Sequence, residues 1–147
     1  MNIPSNTHVI DATGLIVGRM ASLVAKRLLL GDNIVIVNAE KAIISGKRLS
    51  LINRAKEFLQ VGHPRKGPIH HRSPDQILRR TTRGMLPRKK VKGQKAYRRL
   101  KVFNGVPKTY MNEEKITIPQ ANANRLSCPY ITLGELAKNI GWKYAGE

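Results

Sequence analysis

HVIDATGLIVGRMASLVAKRLLLGDNIVIV, residues 8–37, alternates strand-like and helix-like patterning and sets the architecture of the chain. His8-Val9-Ile10-Asp11-Ala12 reads as a short strand, and Thr13-Gly14 as the turn that ends it. Leu15 to Leu30 reads as a helix, with Val17, Met20, Val24 and Leu28 near one face and Arg19, Ser22 and Lys26 on another. Gly31 is a helix stop, because glycine enters the left-handed conformation without a Cβ clash. Ile34-Val35-Ile36-Val37 is β-branched and apolar at every position, which fits a strand buried on both faces of a parallel sheet. The three pieces form a βαβ unit with an expected right-handed crossover.

Outward from this unit the pattern continues. After Ala42-Ile43-Ile44-Ser45-Gly46, a second amphipathic helix is expected over 47–60. Its inward residues are Leu51, Ile52, Ala55, Phe58 and Leu59, and Asn53, Arg54, Lys56 and Glu57 face out. Thr132-Leu133-Gly134-Glu135 has the form of a capping box, followed by Leu133, Leu136, Ala137 and Ile140 on one face and Gly141 as a stop. Trp142 reads as a core anchor. No internal repeat, long linker or low-complexity tract interrupts the chain. With 147 residues, this is one domain over 1–147, long enough to bury a core.

The charge is far from ordinary, with 27 Lys and Arg against 9 Asp and Glu, a formal net +18. Repulsion on that scale opposes compaction unless a polyanion or salt neutralises it. Nucleic acid or an anionic membrane is the natural partner. The longest apolar stretches, Leu28–Leu30 and Ile34–Val37, are too short to span a bilayer. Met1–His8 has neither a basic nor an apolar signal region, so no secretory signal is expected. Cys128 is the only cysteine, which fits a reducing, cytoplasmic setting.

The excess is concentrated. Residues 63–108 hold 15 Lys and Arg and a single acid, Asp75, so this segment carries +14 and the rest of the chain +4. Ser73-Pro74-Asp75-Gln76 reads as a helix start, with Ser73 as cap, Pro74 at the first position and Gln76 completing a capping box. Over 75–86, Gln76, Arg79, Arg80 and Arg83 fall on one arc, and Ile77, Leu78, Thr81 and Met85 on the opposite one. A disordered arm has no reason to sort its residues this way. Pro87 ends the helix near Leu86. Arg88-Lys89-Lys90-Val91-Lys92-Gly93 is expected as a basic loop, and Gln94 to Leu100 as a short helix with Lys95, Arg98 and Arg99. His63 to Arg72 is a loop by its Pro and Gly content. The expected RNA-binding residues are Arg65, Lys66, His70, His71, Arg72, Arg79, Arg80, Arg83, Arg88, Lys89, Lys90, Lys92, Lys95, Arg98, Arg99 and Lys101.

Catalytic readings fare worse. Gly14 and Gly18 do not complete a dinucleotide fingerprint, and serve a tight turn and close helix packing instead. Ser45-Gly46-Lys47-Arg48 lacks the first glycine of a phosphate loop, with Lys41 in its place, and has Arg48 where Ser or Thr is required. His63, His70, His71 and Cys128 show no metal-ligand spacing. Asp11 is the best single acid–base candidate, but without a partner a turn-capping role is preferred. No catalytic residue, metal or cofactor is expected. A nucleotide-dependent or nucleic-acid-processing enzyme and a general nucleic-acid compaction protein are the competing readings.

Aromatics are 5% of the chain, with only Tyr97 and Phe103 inside the basic segment and Tyr110 just beyond it. That is too few for a sheet-based single-strand RNA module. Arg, Lys, His and Gly suit phosphate contacts and the shape of folded RNA. At this level the residues resemble a known family. Asp11-Ala12-Thr13-Gly14-Leu15-Ile16-Val17-Gly18-Arg19-Met20-Ala21-Ser22, Ile36-Val37-Asn38-Ala39-Glu40-Lys41, Gly67–Pro74, Arg79–Pro87 and Leu100–Pro107 occur in order along the chain. The chain resembles the universal large-subunit ribosomal protein thirteen family. His70-His71-Arg72-Ser73-Pro74, and the absence of a long insert before Asn33, are similar to archaeal members; Gly141-Trp142-Lys143-Tyr144 is similar to the eukaryotic tail.

The resemblance implies a three-layer α/β/α domain with a four-stranded, mainly parallel sheet plus basic loop-and-helix extensions. It implies a structural, non-enzymatic constituent of the large ribosomal subunit, located in the cytoplasmic ribosome. The implied partners are large-subunit ribosomal RNA and neighbouring large-subunit ribosomal proteins, with no membrane and no small-molecule substrate. A role early in subunit assembly is implied as well.

Overall fold

The computed structural model describes residues 7–143, so Met1–Asn6 of the opening stretch and Tyr144 of the closing one lie outside the described residues. Strand β1 (Thr7–Asp11) leads into helix α1 (Val17–Leu30) and strand β2 (Asn33–Val37), and β1 pairs with β2 in parallel. Short strands β3 (Ile43–Ser45), β4 (Leu100–Val102), β5 (Lys115–Ile116) and β6 (Tyr130–Thr132) follow. The main sheet has the order β4-β2-β1-β5, and every pairing in it is parallel. β3 and β6 form a separate antiparallel pair. Helices α2 (Arg48–Gln60), α3 (Pro74–Gly84), α4 (Val91–Arg98) and α5 (Leu133–Asn139) complete the α/β architecture.

The alternation along the strands divides the core. Ile10, Ile34, Ile36 and Leu100 pack with Met20, Val24 and Leu28 of α1, Leu78 of α3 and Leu133 of α5. Val9, Val35 and Val37 point the other way, onto Tyr110, Phe103 and Val106. The second face is therefore covered by residues 103–111 and their single 3-10 turn, Lys108–Tyr110. Both faces of β2 are closed, which is what its uninterrupted apolar run requires.

The βαβ unit is as expected, with one adjustment. α1 begins at Val17, because Leu15 and Ile16 are drawn into bridges with Asn122 and Ile43. The Ile16 N–H donates to the Ala121 carbonyl at 2.7 Å, and the Ile43 N–H to the Leu15 carbonyl at 2.9 Å. Gly31 ends the helix at φ 116°, where its N–H reaches the Leu28 carbonyl at 3.3 Å. Gly14 is needed in its turn, at φ 69°, but Gly18 is not packed closely at all, since an added Cβ would meet nothing.

Asp11 closes the turn after β1. Its Oδ1 accepts from the Thr13 N–H (3.0 Å), the Thr13 hydroxyl (2.7 Å) and the Asn38 side-chain amide (3.0 Å). Partial burial pushes its pKa up, but the hydrogen bonds from Asn38 and Thr13 and the charge of Lys115 outweigh this, and the carboxyl is held below its ordinary value. A depressed carboxylate stabilises the fold above its unfolded pKa, about 3.9. That contribution is lost as pH falls from there through the folded value. Asp11→Asn is thus expected to flatten the acid limb of a denaturation-versus-pH curve; an unchanged limb would show that these bonds contribute nothing.

Several expectations fail for physical reasons. Phe58 is 52% exposed, because α2 buries only Ile52 fully and turns Phe58 toward the following loop. Met85 is 43% exposed, because α3 ends at Gly84 and helical periodicity no longer applies to it. Thr82 and Leu86 are buried beside Leu78 instead. The buried Thr82 hydroxyl is satisfied by the Leu78 carbonyl at 3.2 Å.

No capping box forms at Ser73, whose hydroxyl is taken by the Asp75 carboxylate. At the other expected box, the Thr132 hydroxyl does accept from the Glu135 N–H at 3.2 Å, while the Glu135 carboxylate pairs with Arg48 of α2 at 2.5 Å. Trp142 is partly exposed and lies outside the buried core.

The last correction concerns the basic middle section. α4 starts at Val91, three residues before the expected Gln94, and Leu100 belongs to β4. Gly93 is the reason. A Cβ there would stand 2.2 Å from the Pro87 carbonyl oxygen, so glycine lets the helix begin directly beneath Pro87.

Candidate nucleic-acid interface

The expected RNA-binding residues fall into three groups. The first is the loop between α2 and α3. Gly67 sits against the His63 backbone so closely that a Cβ would lie 2.1 Å from the His63 nitrogen. The Gly67 N–H donates to the His63 carbonyl at 2.6 Å. His63 Nδ1 accepts from the backbone N–H of Arg65 (3.1 Å) and Lys66 (3.3 Å). This closed turn holds the exposed Arg65 and Lys66 at its tip.

His70 is half-buried. Its Nε2–H donates to the Val61 carbonyl at 2.9 Å, and its ring stands edge-on to Phe58 with centroids 4.3 Å apart. His71 and Arg72 are exposed, and the Arg72 guanidinium lies over Gly141 beyond α5. Among the described residues no group of three His, Cys, Asp or Glu could hold a metal ion.

The second group is the surface built by α3, the turn after Pro87 and α4. Leu78, Thr82 and Leu86 anchor it. Arg79 reaches across to α4, its guanidinium 4.9 Å from the centroid of the Tyr97 ring. Arg80 turns toward α2, 5.9 Å from the Phe58 ring centre. Arg83, Arg88 and Arg98 line one groove with Tyr97 and Gln94. Lys89, Lys90, Lys92 and Lys95 are exposed around it.

The remaining two residues stand apart. The Arg99 guanidinium donates to the Leu28 carbonyl at 2.6 Å, at the C-terminal end of α1 where a cation complements the helix dipole. It is tied into the fold. Lys101 is exposed on β4, and its register opposite Val35 places it on the sheet face away from the α-helices. Two aromatic residues escaped the expected set. Phe58 has the helical spacing of an inward residue, and Tyr97 offers no more signal in the sequence than a lone ring between Lys95 and Arg98.

These cations are not neutralised from within. The ion pairs among the described residues are His8–Asp32 and Arg48–Glu135, and neither touches residues 63–108. Asp75, the one acid of that segment, is occupied by the Ser73 hydroxyl and by the side-chain amides of Gln76 and Asn104, each of these at 3.1 Å. A dense cationic surface without internal counter-charge, pinned by a buried face, is what a polyanion site requires.

Comparison with known proteins shows the family. The family model described as ribosomal protein L13 matches residues 5–109. The large ribosomal subunit protein uL13 of Methanosarcina barkeri is 50% identical over 138 residues, covering 92% of this chain and 99% of the relative. That of Methanocaldococcus jannaschii is 48% identical over 140 residues, with 92% and 98% covered. That of Aeropyrum pernix is 38% identical over 143 residues, with 92% and 90% covered. With the parallel sheet, the uncompensated basic surface and a match along nearly its whole length, the chain belongs to the ribosomal protein L13 family, and these relatives are archaeal.

Proposed function

We propose that this chain is a structural, non-enzymatic constituent of the large ribosomal subunit that binds and stabilises folded large-subunit rRNA. One observation carries the reading: Arg79, Arg83, Arg88, Lys89, Lys90, Lys92, Lys95 and Arg98 are gathered on the surface that Leu78, Thr82 and Leu86 anchor, and no ion pair among the described residues touches them. In this reading 1–147 is one ribosomal-protein domain, and 63–108 is its rRNA-binding segment. Phosphates are held by Arg and Lys on the α3–α4 surface and at the tip of the Arg65–Lys66 turn. Arg99 contributes through the fold and Lys101 from the opposite side.

The names of the relatives support the large subunit as the place of work, with neighbouring ribosomal proteins as further partners in the cytoplasmic ribosome. Family resemblance supports an early step in assembly. The alternative of an enzyme has little to stand on, since Asp11 is consumed by its turn. No helix among the described residues is long and apolar enough to cross a membrane.

The test is competition. The full chain is titrated with labelled large-subunit rRNA in the presence of excess small-subunit rRNA or duplex DNA. Large-subunit rRNA is expected to resist displacement. Equal displacement by all three would support general compaction and contradict the proposal.

A further inference from the structure

Arg83 at the end of α3, Arg88 in the turn after Pro87 and Arg98 in the last turn of α4 open onto the same groove. Its volume is about 380 Å³. That lies in the range of roughly 300–1,000 Å³ typical of small-ligand sites, and a phosphate group alone would leave most of it empty. A surface that only tracked an RNA backbone would need neither a cavity nor an aromatic wall. This groove has both. The Tyr97 ring is half-buried in it, Leu86 closes the interior, and the exposed Gln94 amide, whose Nε2 donates to the Arg88 carbonyl at 3.4 Å, stands at the rim. No acidic residue lines it. The Arg79 guanidinium over the Tyr97 ring, 4.9 Å from its centre, holds that ring in place.

Resting on the rRNA-binding reading above, we infer that this groove receives one unpaired nucleotide of the bound RNA. The phosphate sits among the three guanidiniums, whose planar forks match its oxygens. The base lies against Tyr97, and the Gln94 amide meets its polar edge. Unpaired bases are recognised by such stacking and edge contacts, whereas stacked duplex bases are out of reach of a pocket this small. An acidic peptide segment would satisfy the arginines but has no use for the ring.

The experiment uses the full chain and large-subunit rRNA, with affinity measured at several salt concentrations and base-specific chemical probing of the complex. Tyr97→Leu is expected to weaken binding roughly five- to a hundredfold, the range for loss of one stacked base. The salt slope should not change, because no cation is removed. One unpaired nucleotide protected in the wild-type complex should become reactive. Tyr97→Phe should retain the protection. Gln94→Ala, at an exposed position that does not threaten folding, should reduce it. Wild-type affinity and an unchanged protection pattern in both Tyr97→Leu and Gln94→Ala would overturn the nucleotide pocket while leaving the basic interface standing. Failure of the wild-type chain to bind large-subunit rRNA would instead overturn the preceding reading.

Discussion

Raising the salt from about 50 to 200 mM is expected to lower the affinity of this chain for large-subunit rRNA by about a thousandfold to a hundred-thousandfold, the range for roughly 6–10 phosphate contacts. The magnitude follows from counterion release. Each phosphate neutralised contributes about −0.7 to −0.9 to the log–log slope. The α3–α4 surface and the Arg65–Lys66 turn hold enough exposed cations for that number of contacts, without Arg99 or Lys101. Individual substitutions sharpen the test. Arg83→Gln or Arg88→Gln should remove up to about one unit from the slope with little change in thermal stability. Arg99→Gln should do the reverse, because its guanidinium is bound to the Leu28 carbonyl within the fold. A nearly flat salt response, or a slope that falls with Arg99 and not with Arg83, would contradict the placement of the interface.

Leu78→Ala is expected to destabilise the fold by about 2–5 kcal/mol without changing the RNA affinity of the folded fraction. Leu78 is 0% exposed and belongs to the cluster that joins α1, α3 and the sheet. Truncating it leaves a cavity where α3 is pinned. Met85→Ala, seven positions after Leu78 and just beyond the end of α3, is a different case. Met85 is 43% exposed, so its truncation should stay within about 0.5 kcal/mol. Denaturant unfolding of both variants beside RNA titration separates the two. Similar losses for Leu78 and Met85 would mean that α3 continues past Gly84 and packs with a different face.

What the sequence disclosed follows from where local pattern and tertiary structure agree. The βαβ unit was legible because Met20, Val24 and Leu28 repeat at helical spacing, Gly31 stops the helix, and Ile34–Val37 has no polar face. The uneven charge was legible as simple counting. The edges were not. Gly93 inside a run of lysines looks like loop chemistry, and only its contact with Pro87 shows why a helix begins there. Phe58 has the periodicity of a core residue, yet its neighbours His70 and Arg80 come from the loop and helix that follow, 12 and 22 positions on. The covering of the second sheet face by residues 103–111 has no repeating pattern to read. Nor does the sequence show that Arg83, Arg88 and Arg98 share a groove with Tyr97, since that depends on how α4 docks against α3.

This chain is proposed to work as part of the large ribosomal subunit, held there by its basic surface. The direct measurement is to sediment a lysate of the source cells through a sucrose gradient with magnesium and raised salt, and to follow the chain by immunodetection. Recovery is expected in the large-subunit peak, with a shift toward free fractions when Arg83, Arg88 and Arg98 are replaced together by Gln. Recovery of the wild-type chain only in free, low-mass fractions would contradict it.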